Sequence, residues 1–261
     1  MTVQAQGPGL RQPMMQKMGA SNKHLPLGHR AERYWAESRQ PLASLIFILP
    51  LLAIYEAGVL LFGAQNGADQ FMRRVLDVFG LGQHLLLPLL TVCILLGWQY
   101  LSRLPWRVSP GVVSAMAAES ILLGLCLRLV PYLQNCVMAI EAPAAPGILR
   151  IVYEKMQNAV GFIGAGIYEE LLFRLILLSL LTWGLLQTGM KPRICTIAAV
   201  LLSSLIFAAA HHVGPSGLEF NPYDFIFRTV AGVFFSVVFI YRGFGIAAGS
   251  HAVYDILVGV F

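Results

Sequence analysis

Charge is what this sequence has least of. Only 12% of its 261 residues are Asp, Glu, Lys or Arg, against about a quarter in a typical soluble domain. The chain therefore lacks the polar surface that would cover it in water. Cysteine is also scarce. Cys93, Cys126, Cys136 and Cys195 are scattered, mostly in or beside apolar segments, with no C-x-x-C, so neither a disulfide framework nor a thiolate metal site is expected. No apolar stretch follows the polar start, and a cleavable signal peptide is not expected. The roughly ten-residue segments of alternating polarity that build a membrane β-barrel are missing. So is the internal repetition found in many transporters.

What is present is apolar sequence: 57% of residues, with a mean hydropathy of +0.70. The runs approach the roughly 20 residues that cross a bilayer, so the fold class is all-α, a polytopic membrane helix bundle of about seven to eight transmembrane helices. Residues 1–40 form a polar, basic tail. Spans are expected over about 41–64, 85–101 and 111–133, with an interfacial helix over 65–84 and a proline-containing loop over 134–150. A long helical stretch from Ile148 to Gln187 follows, an amphipathic lead-in continuing into a span. Further spans cover 194–212, 223–241 and 244–261, with a loop over 213–222 before the sixth. Residues 41–147 and 148–261 belong to one membrane domain, the second part carrying the chemistry.

The net charge of +5 does not point to nucleic acid. Six of the 18 Lys and Arg precede residue 40, and most others sit in short turns, where phospholipid head groups account for them. Lys and Arg are densest in the tail and near 103–107, 191–193 and 242. That asymmetry places the N-terminus in the cytoplasm. The lipid bilayer is the expected partner surface.

Within this apolar background, Gly164-Ala165-Gly166-Ile167-Tyr168-Glu169-Glu170-Leu171-Leu172-Phe173-Arg174 places three ionisable groups in six residues. Ionised groups inside a membrane are costly, so they mark a functional site by default. Glu170 and Arg174 are spaced i,i+4 with Glu first, the favourable order for an ion pair. Glu169 points about 100° away around the helix and is the freer carboxylate, able to take a proton from water beside a histidine. Later spans supply such partners: His211 and His212 end one, and His251 shares a helical face with Asp255 in another. Glu56, Glu119 and Arg128 read as interhelical hydrogen-bond partners, Phe207 as core packing, and Ser203 and Ser204 as bonding their own helix. Counted from the basic turns, His211 lies far along its span and His251 early in its own. A shared site needs the helices to be offset or tilted.

Glu169-Glu170-x-x-x-Arg174, Phe207-x-x-x-His211 and His251-x-x-x-Asp255, in this order on successive membrane helices, resemble the three motifs of the CPBP family of intramembrane endopeptidases, also called the CAAX-protease and bacteriocin-processing or Abi family. The resemblance covers about residues 148–261. It implies a polar site within the bilayer between the late helices, and hydrolysis of a peptide bond in a membrane-associated or lipidated protein or peptide. Carried over, Glu169 is the general base and His211 positions the attacking water. His251 and Asp255 stabilise the oxyanion. Glu170, Arg174 and Phe207 support the site, with His212 as a neighbour.

The prenyl-protein processing members carry Asn where this chain has Asp255, whereas bacterial relatives often carry Asp. An ionised carboxylate repels an oxyanion, so Asp255 is either protonated or acts by orienting His251. The departure points towards a bacterial cell-membrane protein and away from a prenylated CAAX substrate. No cofactor is expected. The alternative is zinc on Glu169, His211, His251 and Asp255, although there is no H-E-x-x-H, and the family has been described both as glutamate-type and as metalloprotease. Two non-protease readings stand beside this one: a membrane immunity or interaction protein of the same family, and a proton-coupled transporter.

Overall fold

The computed structural model describes residues 27–63, 65–81, 85–138, 148–213 and 219–260. The expected basic tail up to residue 26, the loop with Pro143 and Pro146, His84, and residues 214–218 of the connection before the sixth expected span lie outside the described residues. Among the described residues every regular element is a helix. In chain order these are α1 (Leu27–Ser38), α2 (Pro41–Phe62), α3 (Gly67–Val78), α4 (Leu86–Leu101), α5 (Pro110–Met138) and α6 (Ile148–Glu169). Helix α6 runs without a break through a π-helical segment, Glu170–Leu178, into α7 (Ser179–Leu186). Then come α8 (Pro192–Ala210), α9 (Pro222–Arg242) and α10 (Phe244–Gly259).

Four of these helices begin on proline: Pro41, Pro110, Pro192 and Pro222. The first helical position tolerates a residue without an N–H and benefits from its fixed φ. By length and apolarity, α2, residues Pro110–Pro131 of α5, α8 and α9 can each cross a bilayer, and α4 and α10 are shorter apolar helices. Leu60, Leu61, Leu122, Leu129 and Ile197 are exposed on the outside of the bundle. Backbone groups in hydrocarbon must be satisfied internally, which helices do, and side chains facing lipid can remain apolar. The chain is an integral membrane helix bundle.

Helix α3 turns one charged pair inward and leaves large apolar side chains on its outer face. It buries Asp69 and Arg73 while Phe71, Val75 and Val78 are exposed. Asp69 accepts from Arg73 Nε at 2.5 Å. Burial alone disfavours the Arg73 cation, but the hydrogen bond and charge of Asp69, with Glu56 nearby, outweigh it and hold the guanidinium above its ordinary range.

Glu119 and Arg128, both in α5, have separate partners. Glu119 accepts from Arg242 Nε at 2.5 Å and Nη2 at 2.7 Å, and from the Tyr34 hydroxyl of α1. Arg128 donates to the carbonyl of Leu257. Arg242 also lies 3.9 Å from the Trp35 ring centre, so this basic turn is tied into the protein. Burial, then Glu119, holds the Tyr34 hydroxyl above its usual range, and it remains a proton donor to Glu119 across the physiological pH range.

Helix α10 is the centre of the bundle. Every residue from Arg242 to Ala252 is buried, and α2, α5, α6 and α9 all pack on it. Its first turns start inside the protein, so a count from Arg242 is not a count from the bilayer surface. Its approach to α6 depends on Gly166, where an added Cβ would lie 2.6 Å from the Ala248 carbonyl and 2.7 Å from the Ala252 backbone nitrogen. One turn fragment away, a Cβ on Gly164 would fall 2.1 Å from the Tyr55 ring. Small residues that let helix backbones approach are the usual solution inside membranes.

Gly166→Ala is expected to destabilise the fold by about 1–3 kcal/mol, the usual cost of overpacking. Gly161→Ala, where a Cβ meets nothing within 4 Å, is expected to be neutral or slightly stabilising. Thermal unfolding of both variants in detergent checks this; equal melting temperatures would refute the role given to Gly166.

Candidate active site

The three motif segments converge at the junction of α6 and the π-helical segment. π-Helical turns are rare and frequently fall at functional sites; this one begins at Glu170, directly after Glu169. Glu170 and Arg174 form the expected ion pair, Oε1 to Nη1 at 3.1 Å, with both side chains fully or almost fully buried. Arg174 is further enclosed by the rings of Phe207 and Phe235, whose centres lie 4.4 and 5.5 Å from its guanidinium carbon. Such faces attract a desolvated cation.

Glu170 has a second partner. His251 Nδ1 lies 2.8 Å from the same Oε1. A carboxylate oxygen accepts, so Nδ1 carries the proton and donates. The imidazole stacks on Phe235, ring centres 4.4 Å apart at 15°. This contact spans 81 positions in the chain, and nothing in the local pattern announces it. No motif or spacing marks Phe235 either.

Glu169 occupies the less enclosed side. Its Oε2 is 3.7 Å from His211 Nε2 and 3.8 Å from His251 Nε2. Its Oε1 accepts from Asn66 Nδ2 at 3.3 Å. His211 is the residue that closes α8. Its Nδ1 is 2.8 Å from the Phe207 carbonyl, an acceptor only, so that nitrogen donates and Nε2 of the neutral ring is left with a free lone pair. Phe207 packs edge-on against His211, with ring centres 4.7 Å apart. It therefore lines the site as well as packing the core.

Asp255 stands on the other side of His251 from Glu170, with Oδ2 3.4 Å from Nε2. The contact to Nδ1 is therefore Glu170's, and Asp255 lies at Nε2, the nitrogen that faces Glu169. His212 turns away, its ring among Phe220 and Phe225 at 5.4 and 6.1 Å. Ser203 and Ser204 both donate to the Val200 carbonyl of their own helix.

The four residues of the alternative zinc set, Glu169, His211, His251 and Asp255, lie together in this site. Their polar atoms face one another in pairs at 3.4–3.8 Å. Among the described residues, no group of three or more His, Cys, Asp or Glu side chains is arranged to hold a metal ion.

A helical membrane bundle with a buried carboxylate–imidazole cluster on its late helices defines the class. Residues 153–257 match the family described as Rce1-like, type II CAAX prenyl endopeptidase Rce1-like, and over this segment the chain is similar to that family of membrane proteases. No curated protein and no solved structure matches the chain.

Removing one member of a buried pair leaves the other charge uncompensated, at a cost of about 3–5 kcal/mol. Glu170→Gln is expected to destabilise the protein on that scale. Glu169→Gln, whose side chain keeps one-tenth of its surface exposed, is expected to cost far less. Parallel thermal unfolding of the two variants checks the difference, and equal losses would contradict the division between a scaffold and a working carboxylate.

Proposed function

We propose that the protein is a glutamate-type intramembrane endopeptidase, and that Glu169 and His211 together activate a water. The observation that carries this is the 3.7 Å gap between Glu169 Oε2 and His211 Nε2. Both atoms are acceptors when His211 donates from Nδ1 to Phe207. A water bridging them gives one proton to each, which leaves an oxygen lone pair directed away from both. Attack on a peptide carbonyl then transfers a proton to Glu169, which can return it to the leaving amine.

His251, with protons on both nitrogens, donates from Nε2 to the tetrahedral oxyanion, while Glu170 holds Nδ1. Donors fixed in advance at the place where charge develops are a large source of rate enhancement. Asp255, 3.4 Å from that same Nε2, stabilises the doubly protonated ring. An Asp is then tolerable at a position where an amide would bond the oxyanion itself. No step requires a metal.

The substrate class is a membrane-associated protein or peptide. The family name points to a prenylated Cys-a-a-X terminus, and Asp255 argues for other lipidated or membrane-bound peptides as well. We count seven crossings: the four long spans, the shorter α4 and α10, and the continuous helix from Ile148 to Leu186. The basic tail and turns support a cytoplasmic N-terminus in a bacterial cell membrane.

Purified protein in detergent, given a farnesylated Cys-a-a-X peptide and an unprenylated peptide library, is expected to cleave at least one. Glu169→Gln and His211→Ala are expected to lower kcat by about 10²–10⁴, the range of acid–base assistance. Chelator treatment is expected to leave the rate unchanged. Full activity in Glu169→Gln would remove the base, and loss on chelation restored by zinc would overturn the metal-free step.

A further inference from the structure

The resemblance and the family match both begin near residue 150, yet one contact to Glu169 comes from the first half of the chain. Asn66 precedes α3 as its N-cap: its Oδ1 accepts from the Ala68 N–H at 2.8 Å, with extended backbone at φ −71°, ψ 153°. An amide whose oxygen is committed to a backbone donor has its nitrogen fixed on the other side. That nitrogen, Nδ2, is the group 3.3 Å from Glu169 Oε1.

The asparagine is itself held in place. Its backbone N–H donates to the Tyr55 hydroxyl at 3.0 Å, and that hydroxyl donates to Asp69 Oδ2 at 2.8 Å. Asp69 binds Arg73, Arg73 Nη2 lies 3.4 Å from both oxygens of Glu56, and the Tyr168 hydroxyl donates to Glu56 Oε1 at 2.7 Å. The polar chain thus leaves α6 at Tyr168, passes through α2 and α3, and returns to α6 at Glu169, the next residue. Tyr55 and Tyr168 also meet edge-on, ring centres 5.5 Å apart, in the space that Gly164 leaves open.

We propose that Asn66 is a positioning residue for Glu169: by holding Oε1 through Nδ2 it directs Oε2 at the water shared with His211, so that the first half of the chain takes part in the reaction. The carboxylate would otherwise rotate about its last bond, a broad and weakly hindered torsion, and Oε2 would lose its aim. The inference rests on Glu169 being the base.

Three variants separate capping from positioning. Asn66→Ser and Asn66→Asp keep a cap acceptor and lose the Nδ2 donor; Asn66→Ala loses both. Serine caps serve about as well as asparagine, so Asn66→Ser is expected to melt near the wild-type temperature. Asn66→Asp, whose carboxylate faces Glu169, and Asn66→Ala are expected to melt below it. With the peptide cleaved by the wild type, Asn66→Ser is expected to lower kcat about 10-fold and Asn66→Asp about 100-fold at nearly unchanged KM, the size of loss that small misplacements of catalytic groups produce. Adding Asn66→Ser to Glu169→Gln is expected to cost little more, since both act on one group.

A wild-type kcat in Asn66→Ser, or a loss in proportion to the unfolded fraction, overturns the inference while an inactive Glu169→Gln keeps the base assignment. Full activity in Glu169→Gln, or a wild type that cleaves no peptide, overturns the underlying reading and this inference with it.

Discussion

The arrangement depends on one oxygen. Glu170 Oε1 accepts from His251 Nδ1 and pairs with Arg174, and no water reaches it. Three ionisable groups meet there because Glu170 Oε1 serves both Arg174 and His251 and the rings of Phe207 and Phe235 lie against the guanidinium and the imidazole, while Glu170 Oε2 and Arg174 Nε have no hydrogen-bond partner. A buried pair of this kind is no strong source of stability, since desolvation offsets most of the attraction. Its use is geometric. It fixes the distance and rotation of α10 relative to α6, and that places Nε2 of His251 opposite Glu169.

The same constraint explains the packing around it. Two helices can share a carboxylate only if their backbones come close, and Gly166 permits that by offering no side chain to the Ala248 carbonyl. A central helix buried from Arg242 to Ala252 also resolves the apparent mismatch in depth between the two histidines. His251 is early in α10, but α10 starts within the bundle; His211 is late in α8, where that helix ends. They meet at one level because the helices are offset.

Adjacent glutamates therefore meet different surroundings, because the helix turns between them and different helices pack on the two sides. One carboxylate faces inward and is consumed by two cations or donors. Its neighbour, turned about 100°, retains one oxygen for Asn66 and one for the site. The polar circuit through Tyr168, Glu56, Arg73, Asp69, Tyr55 and Asn66 gives the early helices a part that membrane-spanning length alone does not. It also accounts for an α3 that buries Asp69 and Arg73 and exposes its phenylalanine and valines.

By itself the sequence determined the helical membrane class, through apolar runs that leave too few charges for a water-exposed surface. It also determined the Glu170–Arg174 pair and the shared face of His251 and Asp255, because i,i+4 spacing is a local property of a helix. Motif order was enough to place Glu169, His211 and His251 together. Only the tertiary structure decided which nitrogen of each histidine faces the site, that Glu170 and not Asp255 holds His251 through Nδ1, and that Asn66 reaches Glu169 from 103 positions away. Those contacts join residues far apart in the chain, and the angle and offset of packed helices that create them leave no periodicity to read.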